Sequence, residues 1–305
     1  MLKLSLKSLS LALGPVIYSA GYCKAEPPNP IYQYHMNEAT AVYNMTMFII
    51  PYPKNATEEL AGYPLLPSSP TPEETAPLVL QFGKLADIRQ NVAQIQELMS
   101  ASFIIPNVDR LNNNKTSFSR TVYTFTDQVI QQIASRESGT LNHLQVIPSI
   151  VSSVIEGYRN EIATFTPSHD AYGVNQDVFS YQVKQTVVPP LPNPVSGPGV
   201  SVPIFDAWFK PLPRSEDPTY SQGFYESLVN GPIFGYGPKC GTITTFFNYT
   251  FTWPQFVLGN VTLYGSPAGD NTAIESHFPK TMEFINVPGM TATVAEIQVT
   301  ATPFF

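Results

Sequence analysis

The feature that most limits what this chain can fold into is the alternation of apolar and polar side chains through its C-terminal half. In TTFFNYTFTW, residues 244–253, Thr245, Phe247, Tyr249, Phe251 and Trp253 alternate with Asn248, Thr250 and Thr252. In VLGNVTLY, Val261 and Leu263 oppose Asn260 and Thr262. In TATVAEIQVTAT, Ala295, Ile297, Val299 and Ala301 oppose Glu296, Gln298 and Thr300. Side chains on a strand change face at every residue, so each run predicts a strand with one buried face and one polar face. Phe179, Tyr181, Val183 and Val187 repeat the pattern, as do Tyr43, Met45, Met47 and Ile49 nearer the N-terminus.

Between these strands the period changes. Leu85, Ile88, Val92, Ile95 and Met99 recur every three or four residues, which predicts an amphipathic helix over 83–101. Val122, Phe125, Val129 and Ile133 predict a second helix over 119–135, and Ile150 or Val151, Val154, Tyr158 and Ile162 a third from Pro148 to Phe165. The expected fold class is α+β. A β-rich C-terminal half, an antiparallel sheet or sandwich, follows about three helices inserted after an N-terminal strand. The expected organisation is a leader or retained apolar arm over 1–25, a proline-rich extended segment with one strand over 26–82, a helical segment over 83–165 and a β-rich segment over 166–305. The last contains a spacer, 189–203, whose six prolines keep it out of a sheet interior.

Residues 1–25 have the layout of a secretion leader. Lys3 and Lys7 precede an apolar run from Leu9 to Ala20, and Ala20 and Ala25 offer cleavage points. The run is shorter than the roughly 20 residues a membrane span needs. The expected location is therefore extracellular or the cell surface, or a virion for a shell subunit. Only 13% of the 305 residues are charged and the formal net charge is −7. No cluster of Lys and Arg is present to bind phosphates, Lys210 and Arg214 being the nearest approach, so nucleic acid is not an expected partner.

Catalytic patterns are weak. Ser168, His169 and Asp170 are adjacent, whereas a triad needs its members to converge from separate elements. His35, His143, His169 and His277 are scattered without metal-ligand spacing. GPIFGYGPKCG, 231–241, lacks the order of a phosphate loop, and GSPAG, 265–269, lacks that of a nucleophile elbow. Asp206, Glu216, Asp217 and Glu226 do not define a carboxylate pair. No catalytic, metal or cofactor site is expected. The residues that remain are five N-x-Thr glycosylation sequons, at Asn44, Asn55, Asn114, Asn248 and Asn260, with Asn55 and Asn114 in expected loops. Cys23 and Cys240 form a possible disulfide if both are retained.

The expectation is a secreted or surface-exposed, non-enzymatic structural or binding protein. It would work by association with protein partners through its proline-rich segments, a last strand at a sheet edge over 292–302, and Phe304 and Phe305. A capsid or other shell or filament subunit is one alternative. The order strand, amphipathic helices, strands also resembles the Cyt-type cytolysins in outline, with QNVAQIQEL and IQQIASRESGTLN carrying the likeness over less than a third of the chain. That resemblance implies a pore-forming protein with a membrane as its partner; the proline-rich C-terminal half departs from it.

Overall fold

The computed structural model describes residues 29–67, 72–126, 158–168, 178–187, 200–234, 240–248, 252–265 and 278–299, with the strands at 158–168 and 178–187 described by their backbone. A 3-10 turn at Tyr32–Tyr34 leads into β1 (Ala39–Pro53) and helix α1 (Lys54–Ala61). Then come β2 (Thr75–Gln90), β3 (Ala93–Val108), β4 (Phe118–Thr126), β5 (Tyr158–Ser168), β6 (Val178–Val187) and β7 (Val200–Pro211). Helix α2 (Gln222–Val229) precedes β8 (Gly231–Phe234), β9 (Cys240–Phe246), β10 (Gln255–Leu263) and β11 (Met282–Val299).

All eleven strands belong to one sheet, in the order β1-β2-β3-β4-β8-β9-β11-β10-β7-β6-β5, and β1 also pairs with β11. Strand β11 is long enough to take three partners. Its first half pairs with β10 (Leu263↔Met282 to Gln255↔Thr291), its last residues with β9 (Phe246↔Ala295 to Thr242↔Val299), and its other edge with β1 (Phe48↔Gly289 to Ala39↔Gln298). The result is a closed circuit of seven strands, β1-β2-β3-β4-β8-β9-β11, from which β10, β7, β6 and β5 extend as a flap. Every pairing is antiparallel except β4 with β8, which are parallel at Ser119↔Ile233 and Arg120↔Phe234.

The circuit has a consistent inner face. Helix α2 packs Tyr225, Leu228 and Val229 on Val79 of β2, Ile104 of β3, Phe247 after β9 and Met290 and Val294 of β11. A single two-turn helix reaches β3 and β9, on opposite sides of the circuit, only if the face it touches is concave. The outer face of the circuit is covered by the flap: Phe48, Phe82 and Phe103 pack on Phe205 and Phe209 of β7 and on Val257, Val261 and Leu263 of β10. Strand β1 is thus buried on both faces. Tyr43, Met45, Met47 and Ile49 point inward as their alternation requires, while Phe48, Ile50 and Tyr52 point into the flap.

The three helices expected over 83–165 are strands wherever the chain is described. Residues 83–101 are the end of β2, a turn at Asn91 and Val92, and the start of β3. The helical spacing arises from a bulge: between Thr40↔Arg89 and Val42↔Ala86, β2 spends one residue more than β1, and Asp87 takes φ 45°. An extra residue turns a spacing of two into a spacing of three, so Leu85 and Ile88 imitate a helical stripe. The same happens in β4, where Phe103↔Tyr123 is followed by Ile104↔Thr121, and Val122 and Phe125 both reach the outer core. Tyr158 and Ile162 lie on β5, and residues 127–157 lie outside the described residues. The α+β expectation with three inserted helices is therefore corrected to a β-rich fold in one mixed sheet, with two eight-residue helices among the described residues.

Two more expectations change. Strand β11 is hydrogen-bonded along both edges, so it is not an edge strand open to a neighbour. The alternation at 244–253 does not continue as one strand: β9 ends at Phe246, residues 247–248 form a turn, and Trp253 is largely exposed. Of the spacer, residues 189–199 lie outside the described residues, and so do the leader or arm over 1–25 and both terminal Phe residues.

Phe48 ties the circuit to the flap. A Cβ added at Gly259 of β10 would lie 2.6 Å from the Phe48 ring, and one at Gly289 of β11 would lie 2.7 Å from it. The ring occupies the space that the two glycines leave, stacked on Phe82 (centroids 6.1 Å apart) and edge-on to Phe209 (5.6 Å). Phe48→Ala is expected to cost about 3–5 kcal/mol in denaturant unfolding. A loss under about 1 kcal/mol would show that this contact does not hold the two parts together.

Candidate active site

On β11, Ala295 and Ile297 are buried on the outward face, so Glu296 projects inward with Val294, Ala292 and Met290. Its directly opposed neighbours are Ala41 on β1 and Thr245 on β9. Ala41 offers no polar atom, and the buried hydroxyl of Thr245 has no hydrogen-bond partner. Glu296 itself makes no hydrogen bond or ion pair with any described residue. It is half-buried at the surface it presents, but protein surrounds it, and this burial pushes its carboxyl up to about 7. An uncompensated carboxyl in a low-dielectric wall avoids the cost of ionisation by holding its proton.

The backbone around Glu296 is fixed. Asn230, which follows α2, accepts a hydrogen bond from the Thr245 N–H (2.6 Å) and donates through Nδ2 to the Thr245 carbonyl (3.1 Å). The other end of α2 is capped by Ser221, whose hydroxyl accepts from the Phe224 N–H at 3.3 Å. The Ser119 hydroxyl of β4 donates to the Leu228 carbonyl at 3.3 Å. The C-terminal end of α2 is thereby pinned to β4 and β9, and the helix lies over an apolar layer that includes Tyr225.

Further polar groups share the inner face, because directly paired residues project to the same side. From Met47 the register runs to Gln81, Ser102 and Thr124; from Met45 it runs to Gly83, Ser100 and Thr126. Ser102 and Thr124 are linked by a 3.2 Å hydroxyl pair, and Gln81 donates to the Met45 sulfur at 3.1 Å. Gly83 has φ 153°, and an added Cβ would lie 2.0 Å from the Asn44 carbonyl, so no side chain can fill the wall beside Ser100. The inner face thus combines one titratable acid with neutral hydroxyl and amide groups. That set can exchange a proton and hydrogen-bond an oxygen; among the described residues no group of His, Cys, Asp and Glu could hold a metal ion.

The charged residues that sequence reasoning weighed lie elsewhere. Asp206 points away from the outer core and accepts the Tyr264 hydroxyl at 2.5 Å, a bond that raises the Tyr264 phenol to about 12. Glu226 accepts from Gln222 on α2 at 2.7 Å, and Glu216 and Asp217 are exposed. His35 contacts Glu38 at 2.8 Å on the surface. Ser168 ends β5; His143, His169, Asp170, His277 and residues 266–269 lie outside the described residues. Cys240 is a buried free thiol that accepts from the Arg110 guanidinium, and Cys23 lies outside the described residues. Of the sequons, Asn44, Asn114, Asn248 and Asn260 are exposed, and so is Asn55, on α1 rather than in a loop. Asn260 accepts the Asn286 N–H at 3.1 Å.

Glu296 was missed because its alternation with Ala295 and Ile297 assigned it to a solvent face. One signal was available: it is the sole charged residue between Phe284 and the C-terminus.

No family model matches the chain, and no curated protein matches it significantly. Solved structures share its architecture. The enduracididine biosynthesis enzyme MppR complexed with pyruvate superposes with a TM-score of 0.50 at 11% identity, over 95% of this chain and 98% of that one. MppR complexed with the condensation product of pyruvate and imidazole 4-carboxaldehyde gives 0.49 at 10% identity, over 96% and 97%. A structure of acetoacetate decarboxylase gives 0.41 at 10% identity, over 92% and 96%. The first likeness shows a shared fold; the other two are too distant to add to it. A fold shared with an enzyme over 95% of this chain is the finding that corrects the expectation of a non-enzymatic structural or binding protein and, with it, the shell-subunit and Cyt-like pore-former alternatives.

The carboxyl makes stability depend on pH. Its pKa is higher folded than unfolded, so its contribution is fully present below the unfolded value and is lost as pH rises through about 7. Glu296→Gln, which cannot ionise, is expected to be more stable than the parent at pH 8 by about 1–3 kcal/mol and nearly equal to it at pH 4. Denaturant unfolding at the two pH values checks this; no gain at pH 8 would show that the carboxyl is not held protonated.

Proposed function

We propose that this chain is an enzyme that moves a proton at a carbon next to a carbonyl in a small oxo compound, with Glu296 as the acid–base group. The observation that carries this reading is the unpartnered Glu296 carboxyl on the inner wall, poised near neutral pH. A group with that pKa is present in both forms at once, which suits it to take a proton from one atom and return it to another. The carboxylate would remove the C–H proton, leaving the electron pair delocalised onto the carbonyl oxygen as an enolate. The Thr245 hydroxyl, directly opposite Glu296 and without a hydrogen-bond partner, can donate to that oxygen, and the protonated Glu296 then returns its proton to carbon. The layer beneath α2 keeps water from the wall and strengthens each of these interactions.

The substrate class is supported by the pyruvate held by MppR on this fold. Imine catalysis would need a lysine amine facing the substrate. The sole lysine on the seven strands of the circuit is Lys84, which shares its face with Asn44 and is ion-paired to Glu97 at 2.5 Å. The described strands therefore favour direct acid–base chemistry.

Pyruvate incubated with the protein in deuterium oxide should lose its methyl proton signal by NMR faster than buffer allows. The rate should rise with pH and level off above about 7, as the base form fills. Glu296→Gln should slow it by about 10²–10⁴-fold. Equal exchange in the parent and the variant would refute Glu296 as the base; no exchange with pyruvate or its longer 2-oxo homologues would refute the substrate class.

A further inference from the structure

Strand β8 stops just short of the candidate site. Its register with β9, Phe234↔Cys240 to Gly231↔Ile243, would place Val229 opposite Thr245 if it continued, but Val229 is the last residue of α2. Thr245 is 3% exposed, so its backbone N–H and carbonyl would be left buried and unpaired on that side. Asn230 fills the gap with its side chain. The carboxamide accepts from the Thr245 N–H at 2.6 Å and donates through Nδ2 to the Thr245 carbonyl at 3.1 Å, the two bonds that a paired strand residue would make. Its own N–H donates to the Glu226 carbonyl at 3.1 Å, so Asn230 belongs at once to the end of α2 and to the edge of β9.

The direction of these bonds fixes where the Thr245 side chain stands. Both backbone groups of Thr245 turn toward Asn230, away from β11. The Thr245–Glu296 pair is therefore one of the positions in an antiparallel ladder that exchange no backbone hydrogen bond. Residues opposed in this way approach to about 4.5 Å between Cα atoms, nearer than hydrogen-bonded pairs, and their side chains are closest. The buried Thr245 hydroxyl, which has no partner, is thus brought to the shortest cross-strand approach to the Glu296 carboxyl. Ala41, on the other flank, has no polar side-chain atom. We infer that Asn230 is the positioning residue of this site: its carboxamide stands in for a strand residue opposite Thr245 and so holds the Thr245 hydroxyl beside Glu296. The inference rests on the reading of Glu296 as the acid–base group. With an oxo compound bound, the hydroxyl donates to its oxygen; without one, it turns to the ionised carboxylate.

Titration of the glutamate-labelled full chain by ¹³C NMR, without substrate, is the first test. Thr245→Val removes a donor to the ionised carboxyl and should raise the Glu296 midpoint by about half a pH unit or more. Asn230→Ala should raise it by as much, and the double variant no further, because one residue acts through the other. Ser119→Ala frees α2 from β4 but leaves Thr245 held, so it should not move the midpoint. Should Asn230→Ala fail to fold, Asn230→Ser, whose hydroxyl is too short to span both bonds, takes its place. In the pyruvate exchange, Asn230→Ala and Thr245→Val should each slow the rate by at least about tenfold, again with no further loss in combination. A parent without exchange refutes the reaction, and the titration then decides the role of Asn230 alone. A midpoint that stays fixed in Thr245→Val or in Asn230→Ala overturns the inference, as does one that falls in Asn230→Ala, which would mean that water enters the wall. So does an Asn230→Ala effect that adds to that of Thr245→Val or that Ser119→Ala reproduces, which would mean that Asn230 only secures the helix.

Discussion

The contact on which the rest of the structure depends is the Phe48 ring in the gap that Gly259 and Gly289 leave open. A closed circuit and a four-strand flap could otherwise separate, because they share only β11. Phe48 fills the groove between them and joins a run of aromatic rings, Phe82, Phe103, Phe205, Phe209 and Phe278, whose edge-on and tilted contacts favour one arrangement of the flap over its neighbours. Burial of the outward face of the circuit then leaves the inward face as the place where polar chemistry can be set.

The position of Glu296 follows from this. Strand β11 is bonded to β1 along one edge and to β10 and then β9 along the other, so a one-residue slip would turn Ala295 and Ile297 inward and Glu296 out. The glycine at 289 and the outer core fix the register against such a slip. The energy lost by holding an unpartnered carboxyl and an unpartnered Thr245 hydroxyl side by side is supplied by packing elsewhere, the usual relation between a strained or unsatisfied site and the scaffold around it.

Much of the strand content was legible in the sequence. The alternation around Tyr43–Ile49, Phe179–Val187 and Val261–Leu263 reports strands that exist, with Tyr43–Ile49 and Val261–Leu263 on the buried faces it named. The hairpin at 83–101 was not legible, because an extra residue at Asp87 breaks the period of two and apolar residues are left three apart. The site was hidden for a related reason. Alternation distinguishes one face of a strand from the other, but it cannot say that the second face lines a closed circuit rather than meeting water. Closure depends on pairings between residues far apart in the chain, such as Ala41 with Glu296 and Thr245 with Glu296, which no local pattern encodes.

The central claim is that Glu296 holds its proton near neutral pH because it is enclosed on the inner wall with no partner among the described residues. A direct titration of that carboxyl, by ¹³C NMR of glutamate-labelled protein with Glu296→Gln used to assign the signal, measures it without reference to any substrate. A midpoint near 7 is the result this structure requires. A midpoint in the usual range for an exposed glutamate, about 4.3, would contradict it.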